Sequence, residues 1–173
     1  MAADAQRPRE KAQDFIVALG RPLLAHRLRR LSERMVESAG SVLPSLGITA
    51  PPRSNSTLLL LREHGSLAVT EIAAGVRLSH PLIIKLVDEL LAKGLVRSEI
   101  DAADRRRRVV SLTAKGKREA DRFTEMNRTM AALFADIEKE SGHDLFAALE
   151  AFEAALDVEP LSDRLRKRVK AAR

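Results

Sequence analysis

The stretch Ser98-Glu-Ile-Asp-Ala-Ala-Asp-Arg-Arg-Arg-Arg-Val-Val-Ser-Leu-Thr-Ala-Lys-Gly116 decides the fold. Short apolar segments rich in β-branched residues flank a polar loop, Asp101 to Arg108, that contains four consecutive arginines. An arginine run is often only a solvated linker, but these flanks favour strands. The stretch therefore predicts a β-hairpin with a cationic tip. Such a tip suits a nucleic-acid groove, because guanidinium groups stay charged and favour narrow, electronegative minor grooves.

A pair of short helices precedes this hairpin. The first is expected to be capped by Thr70 and to end at a tight turn over residues 76–78. Ser79 is the expected cap of the second helix, Pro81 is tolerated in its first turn, and Gly94 stops it. Two helices joined by such a turn, the second amphipathic, form a helix-turn-helix. A helix-turn-helix followed by a hairpin wing is a more specific signal than either part alone.

The remaining sequence predicts further helices around this lobe. Residues 22–39 and 114–140 carry apolar residues at helical spacing, and 143–157 continues the second stripe. Thr113 is the expected N-cap of the helix over 114–140. Leu67–Val69 predicts a minimal strand beside the hairpin. The predicted fold class is mainly α with a small β-hairpin wing. The expected domains are a flexible N-terminus (1–13), an N-terminal dimerisation helix and linker (14–52), a winged helix-turn-helix DNA-binding lobe (53–113), and C-terminal dimerisation helices with a basic tail (114–173).

The composition argues against several classes of protein. The chain of 173 residues has no cysteine, so disulfides and thiolate metal sites are excluded. Its four histidines are scattered, and no nucleophile–base set is present, so we expect no metal, no cofactor and no enzymatic activity. No apolar run has the length of a transmembrane helix, and the N-terminus lacks a signal-peptide core. We therefore expect a cytoplasmic protein that makes no membrane contact.

The net charge of +6 is distributed unevenly. Residues 77–118 hold 11 Lys/Arg against 5 Asp/Glu, whereas residues 119–160 hold 3 against 11. The last 13 residues are basic again, with 6 against 1. This pattern indicates that one surface meets a polyanion and another does not. Binding to a membrane surface is a poorer explanation, because the charge centres on a hairpin and not on an amphipathic helix.

The second helix of a helix-turn-helix meets base edges in the major groove. His80 has donors for a purine, and Lys85 has donors for guanine or phosphate. Ile84 points outward, where it could contact a thymine methyl group or pack half-buried against the protein. Asp88 would be repelled by phosphate unless it pairs with Lys85 or accepts a hydrogen bond from cytosine. The candidate DNA-binding residues are Thr70, Arg77, Ser79, His80, Pro81, Ile84, Lys85, Arg105, Arg106, Arg107 and Arg108.

These motifs resemble the MarR family of bacterial winged helix-turn-helix regulators. The family's wing pattern, Asp-Pro-x-Asp-Arg-Arg followed by a strand and Leu-Thr-x-x-Gly, is similar to Asp101-Ala-Ala-Asp-Arg-Arg106 and Leu112-Thr-Ala-Lys-Gly116. The segments Val69-Thr-Glu-Ile-Ala73, Leu78-Ser-His-Pro81, Leu86-Val-Asp-Glu-Leu90 and Lys93-Gly-Leu-Val96 also match. The resemblance is strong over residues 65–116 and rests elsewhere on helix order.

The resemblance implies roles for particular wing residues. Arg106 would enter the minor groove, and Asp104 would stabilise the wing by pairing with a nearby arginine. Two positions depart from the family pattern: Ala102 replaces the usual wing proline, and Ile84 stands where a small polar residue or an arginine is common. The family further implies a homodimer that straddles a pseudo-palindromic operator, and members often respond to phenolic or aromatic small molecules. The ligand-binding residues do not follow from the sequence.

The leading hypothesis is a dimeric, sequence-specific transcriptional regulator, expected to be a repressor and to be released from DNA by a small-molecule ligand. The main alternative is an architectural DNA-binding protein of low specificity, with the same salt dependence but little preference among sequences. A winged-helix module for protein interaction is a third reading, which the arginine-rich wing disfavours. The sequence identifies neither the operator nor the effector.

Overall fold

The computed structural model describes residues 14–100 and 107–172. The chain forms two compact units, whose boundary lies between Thr124 and Glu125. The helices are α1 (Phe15–Leu19), α2 (Leu24–Val42), α3 (Asn55–His64), α4 (Val69–Gly75), α5 (His80–Ala92), α6 (Ala114–Ser141), α7 (Leu145–Val158) and α8 (Leu161–Ala171). The strands are β1 (Leu67–Ala68), β2 (Val96–Ile100) and β3 (Arg108–Leu112). The predicted fold class, mainly helical with a small β-hairpin wing, is confirmed.

The first helix begins at a side-chain cap. The Asp14 carboxylate accepts hydrogen bonds from the backbone N–H groups of Ile16 and Val17 and lies 2.6 Å from the Arg30 guanidinium. The Val17 N–H, helped by Arg30, holds the pKa of Asp14 below its usual value. Gly20, at φ 70°, ends the helix, as the Gly-Arg-Pro sequence predicts.

The segment over residues 40–52, expected to be a linker, is packed against the first unit. Helix α2 continues to Val42 and a 3-10 turn follows it. The buried Glu119 carboxylate accepts hydrogen bonds from the Thr49 N–H, the Thr49 hydroxyl and the Ala50 N–H, at 2.7–2.9 Å. Three further side chains of the segment belong to the core: Leu43, Ile48 and Ala50. Proline and glycine predicted the chain turns correctly, but tertiary contacts pack the segment into the first unit.

Helix α4 begins two residues earlier than the sequence predicts. Its N-cap is Ala68, and Thr70 lies exposed inside the first turn. The Glu71 carboxylate, at the third helical position, accepts the Ala68 N–H at 2.7 Å, which is the glutamate half of a capping box; alanine has no side-chain acceptor for the other half. The assignment of Thr70 as the cap is therefore wrong, because the helix begins at Val69 and Glu71 hydrogen-bonds back to Ala68.

Helix α5 follows a turn in which Arg77 has φ 52°. Ser79 is the N-cap with an extended backbone, and Pro81 stands in the first turn, as predicted. The inward face packs into the core through Ile83, Leu86, Val87 and Leu90. The opposite face of the helix is left to solvent.

The three strands form one antiparallel sheet in the order β1-β3-β2. Leu67 pairs with Val110 in β3, so the minimal strand lies beside the hairpin as predicted, although it ends at Ala68 and not at Val69. Val96 pairs with Leu112 at the base of the hairpin, and both side chains are buried. The hairpin is thus anchored at its base by apolar burial.

The junction between the hairpin and α6 is a close backbone approach. Thr113 caps α6, as predicted: its hydroxyl accepts the Gly116 N–H at 3.0 Å and donates to the Gly94 carbonyl at 2.8 Å. The Thr113 N–H also donates to the Leu95 carbonyl at 3.0 Å. Gly116 is buried next to Leu95, and a Cβ added there would lie 1.9 Å from the Leu95 carbonyl oxygen.

The second unit, Glu125–Arg173, consists of the remainder of α6 with α7 and α8. Asp144 caps α7 by accepting the Ala147 N–H at 2.8 Å. The basic tail, for which the sequence predicted no helix, forms α8. Large apolar side chains on all three helices are exposed, including Leu133, Phe134, Phe146, Phe152 and Leu165.

We expect Gly116→Ala to lower the free energy of unfolding by about 1–3 kcal/mol or more, the cost of overpacking a close contact. The Leu95 backbone must move to admit the methyl group. Urea denaturation followed by circular dichroism measures the change. Arg118→Ala, an exposed site on the same helix, is the matched control and should stay within about 0.5 kcal/mol of the parent. Equal stability of both variants would contradict the close approach.

Candidate nucleic-acid interface

The outward face of α5 presents the residues that the sequence singled out. Ser79, His80, Pro81 and Lys85 are exposed. Ile84 is 37% exposed, so it lies outside the core while part of its side chain is packed, and both expectations for this residue stay open. These five residues therefore lie together along one helix face, at its N-terminal half.

The start of α5 is open to an anion. The Ser79 hydroxyl makes no capping hydrogen bond to the first backbone N–H groups of the helix. Helix N-termini carry partial positive charge and unsatisfied N–H donors, which favour phosphate. Pro81 removes one donor and fixes the local backbone. The geometry suits a phosphate group beside the helix start.

Thr70 and Arg77 flank this face. Thr70 is exposed in the first turn of α4, and Arg77 is exposed in the turn between α4 and α5. Arg77 adopts a left-handed backbone conformation, which side-chain-bearing residues rarely take. Both lie on elements that adjoin α5, where backbone contacts from a helix-turn-helix are expected.

Asp88 on α5 pairs with the wing and not with Lys85. Its carboxylate accepts from the Arg108 guanidinium at 2.9 Å. Arg108 also donates to the Ser98 hydroxyl of the neighbouring strand at 2.8 Å. Arg108 is thereby tied both to α5 and across the hairpin, and its charge offsets the carboxylate on the helix face.

Arg107 is held by a second carboxylate. Its guanidinium lies 2.5 Å from a Glu71 carboxylate oxygen, and the other oxygen of Glu71 accepts the Ala68 N–H. Glu71 thus joins the start of α4 to the wing. Of the remaining predicted wing residues, Asp104, Arg105 and Arg106 lie outside the described residues.

Sequence reasoning missed Glu71 and assigned Asp88 no wing partner. Their arginines lie 36 and 20 positions away along the chain. Helical spacing identifies partners three or four residues apart, but a contact between a helix and a hairpin has no such signature. The sequence offered one general signal for these pairs, which is that Glu71 and Asp88 are carboxylates in a segment with an excess of basic residues.

Comparison with known proteins assigns the lobe to a family. Residues 50–107 match the family model described as MarR family. This winged helix-turn-helix segment is of the MarR family. The assignment made from the wing and recognition-helix motifs is therefore confirmed. No curated protein sequence matches the chain significantly. No helix within residues 14–100 and 107–172 has the length and apolar character needed to cross a membrane.

Three solved structures that share the fold are bound to DNA or to a ligand. The chain is 27% identical to MepR of S. aureus in a DNA complex, with 76% of this chain and 96% of that chain covered at a TM-score of 0.58. It is 26% identical to the repressor CouR bound to a 23-mer DNA duplex, with 79% and 93% covered and a TM-score of 0.59. PcaV of Streptomyces coelicolor, in complex with its natural ligand, is 21% identical, with 84% and 96% covered and a TM-score of 0.61.

We expect Glu71→Ala and Glu71→Gln to differ in stability. Glutamine keeps an acceptor for the Ala68 N–H, so its loss of stability should stay within about 0.5 kcal/mol, because exposed ion pairs contribute little. Alanine removes the acceptor as well, and losing a helix cap costs about 0.5–2 kcal/mol. Urea denaturation of both variants measures the difference. Equal losses would mean that the hydrogen bond to Ala68 contributes nothing.

Proposed function

We propose that the protein is a dimeric, sequence-specific DNA-binding transcriptional regulator that represses its target. Helix α5 enters the major groove and the arginine wing enters the adjacent minor groove. The observation that carries the proposal is the exposed face of α5, where Ser79, His80, Ile84 and Lys85 lie together at the helix start. The DNA complexes of MepR and CouR, which share the fold, support this use of the lobe.

Each residue on this face has a distinct role in the proposal. His80 donates to a purine N7 or O6, and Lys85 donates to guanine or to a phosphate. Ile84 contacts a thymine methyl group. Ser79 and the N–H groups beside it bind a phosphate. Thr70 and Arg77 contact the DNA backbone from the elements next to α5. Pro81 lies beside the DNA as well and fixes the local backbone at the start of α5.

The wing arginines divide into two groups in this proposal. Arg105 and Arg106 enter the minor groove, and Asp104 pairs within the wing to hold its tip. Arg107 and Arg108 are braced by Glu71 and Asp88, so they set the direction of the hairpin. A guanidinium has five N–H donors, so an arginine in an ion pair still has donors for a phosphate. Arg107 and Arg108 therefore position the wing and also contact the DNA backbone.

Dimerisation places two such faces on one operator. Half-sites one helical turn apart require two recognition helices about 34 Å apart. Both units leave apolar side chains exposed, as an unassembled interface does. In the first unit these lie on α1 and α2 at helical spacing: Phe15, Leu24, Leu28, Leu31 and Met35. In the second unit Leu133, Phe134 and Ile137 follow the same pattern on α6.

We further propose that a small organic anion releases the regulator from DNA. A hollow of about 520 Å³ lies between the end of α2 and the segment that follows it. Backbone and apolar side chains form most of its wall, and Lys93 at the end of α5 is its one charged lining residue. A ligand there would contact the helix that carries the DNA-reading face. The ligand-bound state of PcaV, a fold neighbour, supports looking for such a molecule.

The test of the proposal is a fluorescence-anisotropy titration with DNA from upstream of the gene and with a scrambled duplex. We expect tight binding to the first alone at near-physiological salt. Equal binding to both duplexes, lost together as salt rises, would instead support the architectural alternative. Absence of binding to either, combined with a monomer in sedimentation, would contradict the proposal. Adding aromatic carboxylates to the bound complex then tests release.

We expect Lys85→Ala to weaken operator binding by about 10- to 100-fold, since a good base contact contributes about 1–3 kcal/mol. The dimer should remain intact, because Lys85 lies on the exposed face of α5. Lys139→Ala, an exposed lysine on α6, is the matched control. Anisotropy measures affinity, and sedimentation measures assembly. Unchanged affinity in Lys85→Ala would rule out this residue as a contact.

A further inference from the structure

Two aliphatic side chains are exposed on α5, the helix that presents the proposed DNA-reading face. Leu82 is 44% exposed and Ile84 is 37% exposed, although Ile83 between them is fully buried. Both lie in the N-terminal half of α5, which runs from His80 to Ala92. Isolated exposed apolar residues are ordinary on a protein surface. These two, however, lie in the part of the helix that the proposed function brings to the base edges.

The rotation of the helix places these two side chains on opposite flanks of the outer face. Successive residues of an α-helix are rotated by about 100°, at 3.6 residues per turn. Leu82 therefore emerges on one side of buried Ile83, and Ile84 emerges on the other. Pro81 and Lys85, each two positions from Ile83, lie near the centre line of the outer face. The face thus has Lys85 near its centre and one aliphatic side chain on each margin.

The ion pair between α5 and the wing identifies the two flanks. Asp88, one turn after Ile84, accepts a hydrogen bond from the Arg108 guanidinium of β3 at 2.9 Å. Residues four positions apart share a helix face, so the flank of Ile84 is the one nearer the wing. Leu82 lies on the flank away from the wing. The two aliphatic side chains therefore point toward opposite sides of any groove that α5 enters.

The chemistry of the major groove restricts what an aliphatic side chain on such a flank can contact. The groove is about 12 Å wide, and a helix with its side chains is about 10–12 Å in diameter, so both flanks face DNA and not bulk water. The C5-methyl of thymine is the only apolar substituent on the base-pair edges in this groove. It lies on the side of the base pair next to the backbone of its own strand. An aliphatic side chain at the margin of the helix matches this methyl group in position and in polarity.

We propose that Leu82 and Ile84 recognise pyrimidine C5-methyl groups on the two opposite strands of each half-site. The inference rests on the proposed function and deepens it, because it adds Leu82 to the specificity-determining residues and names the chemistry of two operator positions. Ile84 contacts a pyrimidine of the strand whose backbone passes between α5 and the wing, and Leu82 contacts one of the other strand. Thymine carries this methyl group and so does 5-methylcytosine, so the recognised feature is the methylated pyrimidine edge.

Removing single methyl groups from the DNA tests the inference. Each thymine of one operator half-site is replaced in turn by deoxyuridine, which lacks the methyl group and keeps every hydrogen-bonding group. In a second series each cytosine is replaced in turn by 5-methylcytosine. Fluorescence anisotropy then measures the affinity of the parent, Leu82→Ala and Ile84→Ala for every duplex. The two series distinguish thymine from 5-methylcytosine as the source of the methyl group.

For the parent we expect one position on each strand where the methyl group strengthens binding by about four-fold, the effect of burying one methyl-sized group. Leu82→Ala should lose the effect at one position, and Ile84→Ala should lose it at the other. The matched control, Lys85→Ala, should weaken binding to all duplexes and keep both methyl effects. Each effect is a ratio of two affinities of the same protein, so a general loss of affinity in a variant does not change it.

A parent that binds the operator specifically and shows no methyl effect in either series would overturn the inference and leave the regulator proposal intact. Methyl effects that persist unchanged in both Leu82→Ala and Ile84→Ala would also overturn it, because the methyl groups would then act through the shape of the DNA. A parent with no preference for the operator over a scrambled duplex would reject the proposed function itself. That result is obtained before any modified duplex is made, so the two failures are distinguishable.

Discussion

The contact between Leu95 and Gly116 is the constraint on which the geometry of the lobe depends. Helix α5 ends at Ala92 and β2 begins at Val96, so Leu95 lies between them. The Leu95 carbonyl accepts the N–H of Thr113, which caps α6. The Thr113 hydroxyl bonds to both sides of the junction. Three elements thus meet through backbone atoms, which tolerate less adjustment than side chains. This approach fixes the base of the wing beside the end of α5.

Two carboxylates in this lobe, which has an excess of basic residues, orient individual arginine side chains of the wing. Glu71 and Asp88 each hold one wing arginine, and each also belongs to a helix of the helix-turn-helix. Exposed ion pairs of this kind contribute little stability, so their effect is on orientation. They restrict long side chains that would otherwise sample many rotamers. In the proposed DNA complex, side chains that are already ordered would lose less entropy on binding.

The two units differ in how far they bury their large apolar side chains. The first unit buries a core around Phe123 and Ile72, whereas α6, α7 and α8 beyond Thr124 leave their large apolar residues in solvent. Exposed apolar surface of this kind is typical of an interaction site. In the proposed dimer, the second unit would bury it against the other copy.

Local patterns determined much of this protein. Helical spacing, the cap at Thr113 and the β-branched flanks of the arginine run were enough for the helices, the hairpin and the family, because these signals act over a few residues. The start of α4, the burial of residues 40–52 and the partners of Arg107 and Arg108 required the tertiary structure. Glu71 hydrogen-bonds to Ala68 at the start of α4, ahead of the expected cap Thr70, and Glu119 accepts from Thr49, 70 residues away in the turn-rich segment. Such contacts depend on which surfaces folding brings together, and sequence spacing does not encode that.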